Sequence, residues 1–272
     1  MHLLEFGAVT DCGPVRSVNE DSILAAPPVF VVADGVGGSA DGEVASAIVV
    51  EEFGRLAEQP VIDADRVSAT IQAAHTRVWE HNAGRPHGAS STAVGAVGVL
   101  SGDEPYWVVF NVGDSRIYRL GVATPEASDR TLSQISVDHS HVQELVDAEV
   151  ITADQATTHP DRNLVTRAIG AEEEVEADFW LIPMVPGDRL LICSDGLLAV
   201  SDPDLQRALS GDAGAERTAA DLLQAALAAE TTDNVSVIVI DVVARGTADR
   251  TATPQSEELT SVQPHPAAAE SS

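Results

Sequence analysis

Val29-Phe-Val-Val-Ala-Asp34-Gly35-Val-Gly37-Gly38 is an apolar run that stops at one carboxylate and a cluster of glycines. β-Branched and aromatic residues in an unbroken stretch read as a buried strand. The glycines allow a tight turn and a close approach of backbone to a ligand. The stretch therefore places Asp34 at a strand end, beside backbone groups free to face an ion.

On either side, the pattern changes in a way that limits the fold. After Gly42, Ala45, Val49, Phe53 and Leu56 share one helical face. A second helix follows Pro60, with Asp63 or Asp65 as its N-cap and Val67, Ile71, Ala74 and Val78 as its stripe. Ala93–Leu100, Tyr106–Val112 and Ile117–Leu120 read as short strands divided by turns, an antiparallel meander. A short helix is expected from His141 to Ala148, a strand over Arg189–Cys193, and helices over Asp202–Leu209 and Arg217–Ala229. Val235–Val242 is apolar on both faces, so it reads as a central strand. Helices in pairs with strands bunched between them predict an α+β fold. Antiparallel sheets covered by helices fit this order better than a repeating βαβ unit. The folded part is expected to span 1–245. Residues 246–272 are rich in Pro, Ser, Thr and Ala, have no aromatic residue, and read as a disordered tail.

Composition excludes several kinds of chemistry. The chain has 272 residues and a net charge of −28, from 43 acidic and 15 basic residues. All 15 basic residues are arginines. Without lysine there is no P-loop lysine, kinase lysine or Schiff base. The acidity argues against nucleic acid as a partner. No apolar run approaches the ~18 residues of a membrane span. Met1-His-Leu-Leu-Glu-Phe does not read as a signal peptide. Cys12 and Cys193 form neither a CxxC nor a disulfide framework, and a reduced, cytoplasmic protein is expected. Neither cysteine begins the Cys-x5-Arg of a thiol phosphatase.

Four aspartates recur at strand ends: Asp34, Asp114 in Val-Gly-Asp-Ser-Arg, Asp195 in Cys-Ser-Asp-Gly, and Asp233 before Asn234. Taken singly, each fits a turn or cap. Together at one rim they would repel unless cations held them. Oxygen-only ligands favour hard ions such as Mg²⁺ or Mn²⁺.

These residues fall within a longer series: Arg16-x-x-Asn-Glu-Asp21, Val-Ala-Asp34-Gly-Val-Gly-Gly, Gly-Glu43-Val-Ala-Ser46, Val-Gly-Asp114-Ser-Arg, Asp138-His-Ser140, Thr166-Arg-Ala-Ile-Gly170, Cys-Ser-Asp195-Gly-Leu and Asp233-Asn234. The series resembles the metal-dependent protein serine/threonine phosphatases, the PPM or type 2C class, in its bacterial branch. The resemblance covers about residues 5 to 243. It implies a four-layer αββα sandwich, two antiparallel β-sheets flanked by pairs of helices. It also implies a binuclear Mn²⁺ or Mg²⁺ centre with room for a third ion. By motif, Asp34 would bridge two metals, and Asp195 and Asp233 would complete the first site. The Gly35 carbonyl would serve the second, with Asp21 orienting its waters. Asp114 would hold a third ion together with Asp195. Arg16 would clamp phosphate, its planar fork suiting bidentate contact. The implied reaction is hydrolysis of phosphoserine and phosphothreonine in proteins by direct attack of a metal-bridging hydroxide. Implied partners are phosphorylated proteins, among them serine/threonine kinases and their substrates, engaged by a monomer.

The series also departs from the family. Val36 stands where relatives from higher organisms carry a candidate acid histidine, and Ser39 replaces a histidine common in bacterial members. The leaving-group acid is therefore unassigned, with a metal-bound water the expectation. His139 and His159 are expected to be structural, and Arg116 an ion-pair partner. Residues 141–165 match the family's flap beside the site. Two other readings compete. Gly35-Val-Gly37-Gly-Ser-Ala40 fits a dinucleotide fingerprint, which requires βαβ alternation. A pseudophosphatase would bind phosphoproteins without turnover, but it should lack a metal ligand, and Asp34, Asp195 and Asp233 are all present.

Overall fold

The computed structural model describes residues 3–36, 41–85, 88–122 and 130–244. Gly37, Gly38, Ser39 and the expected tail at 246–272 lie outside the described residues. The chain forms β1 (Leu3–Asp11), β2 (Asp21–Ala26), β3 (Val29–Val36), α1 (Gly42–Ala57), α2 (Ala64–Asn82), β4 (Ser90–Ser91), β5 (Ala93–Ser101) and β6 (Glu104–Val112). It continues through β7 (Arg116–Val122), β8 (Arg130–Gln134), α3 (His141–Asp147), α4 (Ala153–Ala156), β9 (Asp178–Pro183) and β10 (Arg189–Cys193). A 3-10 turn (Asp195–Ala199), α5 (Asp202–Ser210), α6 (Ala215–Ala228) and β11 (Val235–Val243) complete it.

Two antiparallel sheets result, one ordered β1-β11-β10-β7-β8 and the other β2-β3-β5-β6-β9 with β4 beside β3. Three apolar clusters fill the three gaps between four layers. Val29, Val31 and Ala33 face α1 and α2 through Val49, Phe53, Ile71 and Val78. Phe30 and Val32 face the other sheet through Trp107, Ile192, Ile238 and Ile240. Leu191, Val237 and Val239 meet Leu205, Ala219 and Leu222 of α5 and α6. An apolar residue at every position of Val29–Ala33 is thus explained, because this strand is covered on both faces. β11 lies between β1 and β10, and is covered on both faces in the same way. The architecture is the expected αββα sandwich. All described strand pairs are antiparallel, so the dinucleotide reading lacks the parallel βαβ unit it needs.

One sequence expectation fails. The meander over 93–120 stops after two strands: β5 pairs with β6, whereas β7 pairs with β10 and β8 in the other sheet. The switch occurs at Gly113, whose φ is 110°. A Cβ there would lie 2.6 Å from Thr92 Cγ2. Only glycine accommodates both the backbone angle and that contact. This switch carries Asp114 from one sheet to the other.

The N-cap of α2 is Asp63, whose carboxylate accepts from the Arg66 N–H at 2.9 Å. Asp63→Ala should cost ~1 kcal/mol. The expected loss in a melting experiment is about 2–4 °C, with most of it recovered by Asp63→Asn.

Candidate functional site

The site is built where strand ends from both sheets meet. β2 and β3 pair so that Asp21 stands directly opposite Asp34. Such neighbours are close, and like charges placed there destabilise the pair. Asp34 is fixed through its backbone by Thr92: its N–H donates to Thr92 Oγ1 at 2.9 Å, and its carbonyl accepts from the Thr92 N–H at 2.8 Å. The Thr92 and Ser115 hydroxyls are 2.8 Å apart, which ties β3 to the crossover bearing Asp114. Ser194 Oγ donates to Asp21 Oδ2 at 2.8 Å and accepts from the Ser236 N–H, binding β2 to the other sheet. Asp195 follows Ser194 and opens the 3-10 turn.

Asp233 precedes β11 and receives Arg16 Nη2 at 2.6 Å on Oδ2. Asn234 organises the loop that carries Arg16. Its Oδ1 accepts from the Glu20 N–H, and its Nδ2 donates to the carbonyls of Cys12 and Val18. Gly35 is packed with no room for a side chain. Its N–H donates to the Glu20 carbonyl, and a Cβ would lie 2.3 Å from the Gly42 carbonyl oxygen.

The electrostatics follow from this crowding. Burial raises the Asp34 carboxyl well above the usual carboxylate range, with Asp21, Asp195, Asp114 and Asp233 adding to the shift. Burial also lifts Asp21 and Asp114 to about 6 each. Asp195 is pushed to about 7, by burial and then by Asp114, Asp233 and Asp21. The Arg16 guanidinium is held more firmly charged, chiefly by its hydrogen bond to Asp233. The five aspartates and Arg16 named from sequence are therefore one electrostatic unit, with Gly35 on the same strand as Asp34.

Among the described residues, no three acidic, histidine or cysteine side chains are so placed that they could together hold a metal ion. The donors nonetheless suit one. They are oxygens only, and buried Asp21 Oδ1 has no hydrogen-bond partner among the described residues. A hard divalent cation satisfies both conditions.

The flanking groups are structural. Arg116 forks onto Asp138, with Nε 3.0 Å from Oδ1 and Nη2 2.7 Å from Oδ2. His139 is buried, its Nδ1 accepts from the Gly113 N–H at 3.2 Å, and burial lowers its pKa. Val36 ends β3 and offers no proton. Sequence reading gave no role to the Glu20 side chain. Its carboxylate lies against Gly42, and its pKa is raised by burial and by Glu43. Its place beside Asp21 in the Asn-Glu-Asp triplet was the available signal.

The profile of the protein phosphatase 2C family matches residues 16–236. The serine/threonine protein phosphatase PstP of Mycobacterium tuberculosis is 36% identical over 248 residues, which is 89% of this chain and 45% of that relative. The chain thus spans less than half the length of that relative. Two crystal structures share the fold. The PPM Ser-Thr phosphatase MsPP from Mycobacterium smegmatis, in complex with cacodylate, has a TM-score of 0.78 at 34% identity, over 89% of this chain and 100% of that one. The catalytic domain of PstP in complex with two manganese ions has a TM-score of 0.77 at 33% identity, over 88% of this chain and 98% of that one.

Proposed function

The chain belongs to the protein phosphatase 2C family, and on that premise we propose that it is a metal-dependent phosphatase acting on phosphoserine and phosphothreonine in proteins. The observation that carries this reading is the convergence of five aspartates from two sheets at one rim, with Arg16 beside them. Asp34, Asp195 and Asp233 would hold one Mn²⁺ or Mg²⁺ ion; Asp34 and the Gly35 carbonyl would hold a second, with Asp21 orienting its waters; and Asp114 with Asp195 would hold a third. Bound there, such ions acidify water enough to supply a nucleophile near neutral pH and draw charge from the phosphoryl oxygens.

The chain's own groups do the rest. Thr92 and Ser194 hold Asp34 and Asp21 in register, so that two like charges stay opposed instead of turning away. Arg16 reaches the same point as Asp233, and its second amino group and exposed edge suit bidentate contact with a phosphate ester. No nucleophilic side chain is needed. Cys193 is buried, and burial pushes its thiol up to about 12, which makes it a core residue.

The proposed partners are phosphorylated proteins, including serine/threonine kinases and their substrates, met by a monomer in the cytoplasm. Two free cysteines are in keeping with that compartment. No helix among the described residues is long and apolar enough to cross a membrane.

Hydrolysis of p-nitrophenyl phosphate and of a phosphothreonine peptide, with Mn²⁺ and then with EDTA, tests the reading. Turnover is expected only with the metal. Activity that persists in EDTA would overturn it. Arg16→Ala should lower kcat/KM for phosphate monoesters by roughly 10–100-fold, with Mn²⁺ binding by calorimetry retained. Unchanged kcat/KM would remove Arg16 from the role of phosphate clamp.

A further inference from the structure

A cavity of about 760 Å³ adjoins the carboxylate rim, with Asp114, Asp195 and Asp233 in its lining. The volume is in the range of a ligand pocket, and far more than a phosphate needs. Its remaining wall is mixed, with Arg116, Asp138 and Arg162 among the charged residues, and its apolar part comes from Val142 and Val146 of α3 and from Leu197, Leu198, Val200 and Leu205. Most of these are buried structural residues, but Leu198 is 39% exposed and faces the cavity without cover. A lone exposed leucine on a convex surface calls for no explanation. This one lies in a concave site that also contains the reacting end.

We propose that this cavity receives the polypeptide flanking the phosphorylated residue, and that Leu198 and Val146 select an apolar side chain two residues away from it. The proposal rests on the phosphatase reading above and adds a substrate preference to it. Its geometry comes from the 3-10 turn. In such a turn, side chains at i and i+3 eclipse, with a rise of about 2 Å per residue. Asp195 and Leu198 are three apart in the turn Asp195–Ala199, so they face the same way about 6 Å apart along its axis. In an extended peptide, residues two apart also face the same way, separated by about 6.8 Å. A phosphorylated side chain at the Asp195 end therefore brings its second neighbour to Leu198. Leu198 is carried on the same rigid turn as Asp195, so the spacing does not depend on a mobile loop.

The cavity also carries charges of both signs, Asp202 and Glu230 with Arg116 and Arg162. The substrate class is thus set by the apolar contact alone: a phosphoserine or phosphothreonine segment with an apolar second neighbour.

The test uses three phosphothreonine peptides that differ only at the second neighbours, carrying Leu, Ser or Glu, with p-nitrophenyl phosphate as the reference that has no flanking chain. With Mn²⁺, the full chain is expected to favour the Leu peptide over both the Ser and the Glu peptides by about 10-fold in kcat/KM, through KM. Leu198→Ser and Val146→Ser should each bring the Leu-to-Ser ratio towards one, and Leu198→Met should restore it. Melting curves confirm that each variant folds, and because two sites are tested, failure of one variant leaves the other. Equal use of the Leu and Ser peptides by the parent, or a preference untouched by both serine variants, overturns the proposal while p-nitrophenyl phosphate turnover still upholds the phosphatase reading. Absence of hydrolysis of every substrate overturns both.

Discussion

Asp34→Asn is expected to abolish turnover and to raise the melting temperature in EDTA. The two effects have one cause. Asp34 lies on β3 opposite Asp21, and its carboxyl is raised by burial and then by Asp21, Asp195, Asp114 and Asp233. Asparagine keeps the shape and removes one negative charge from the five. Without cations the substitution relieves repulsion, and an increase of a few degrees is expected from about 1 kcal/mol. Activity is expected to fall because an amide would be a far poorer ligand for a divalent ion than the carboxylate that Asp34 would offer. A loss of roughly 10³-fold or more in kcat is expected, the scale on which preorganised charge stabilises a transition state. The readouts are p-nitrophenyl phosphate hydrolysis with Mn²⁺ and thermal melting in EDTA, on one preparation. A substitution that damaged the fold would lower both. Activity within ~10-fold of the parent would show that Asp34 is not the bridging ligand.

The sheet architecture was legible where burial is two-sided. Val29–Ala33 and Val235–Val242 could hardly be anything but covered strands, because nearly every position is apolar. Edge strands gave no such signal. β8 and β9 have only half-buried and exposed positions and β1 has a single buried one, and their sequences (Leu3-Leu-Glu-Phe, Arg130-Thr-Leu-Ser, Asp178-Phe-Trp-Leu) obey no clean alternation of apolar and polar residues. The sheet switch at Gly113 was hidden for another reason. A glycine between two strands looks the same in a hairpin and in a crossover, and only long-range packing against Thr92 distinguishes them. The site divides similarly. Asp34, Asp114, Asp195 and Asp233 each lie beside a local turn or strand-end cue. The hydrogen bonds that position them, from Ser194 to Asp21 and between Thr92 and Ser115, join residues 173 and 23 apart in sequence and have no local signature.

In EDTA the chain should lose stability as pH rises from about 4 to about 7, against the usual behaviour of carboxylates. Ordinarily a paired Asp titrates lower in the folded chain than in the unfolded one, and folding then gains stability with pH. Here the sign is reversed. Asp21 and Asp114 titrate at about 6 and Asp195 at about 7 in the folded chain, against 3.8 for the ordinary group. Between those values the folded chain binds more protons than the unfolded one, so each unit of pH favours unfolding. Stability is fullest near pH 4 for these groups, and the loss is complete once pH passes about 7. Arg16 opposes the trend only at its own corner, because its guanidinium is committed to Asp233, and Arg116 is committed to Asp138. The three groups act in the same direction, so the melting temperature in EDTA is expected to fall by at least several degrees between pH 5 and pH 8. Saturating Mn²⁺ should reverse the slope, since a cation binds the ionised carboxylates and competes with protons for them. Melting curves at pH 5, 6, 7 and 8, with EDTA and with Mn²⁺, distinguish the cases. Stability rising with pH in both buffers would mean that the aspartates are already paired by the protein itself, and the rim would then be a structural network with no need of metal.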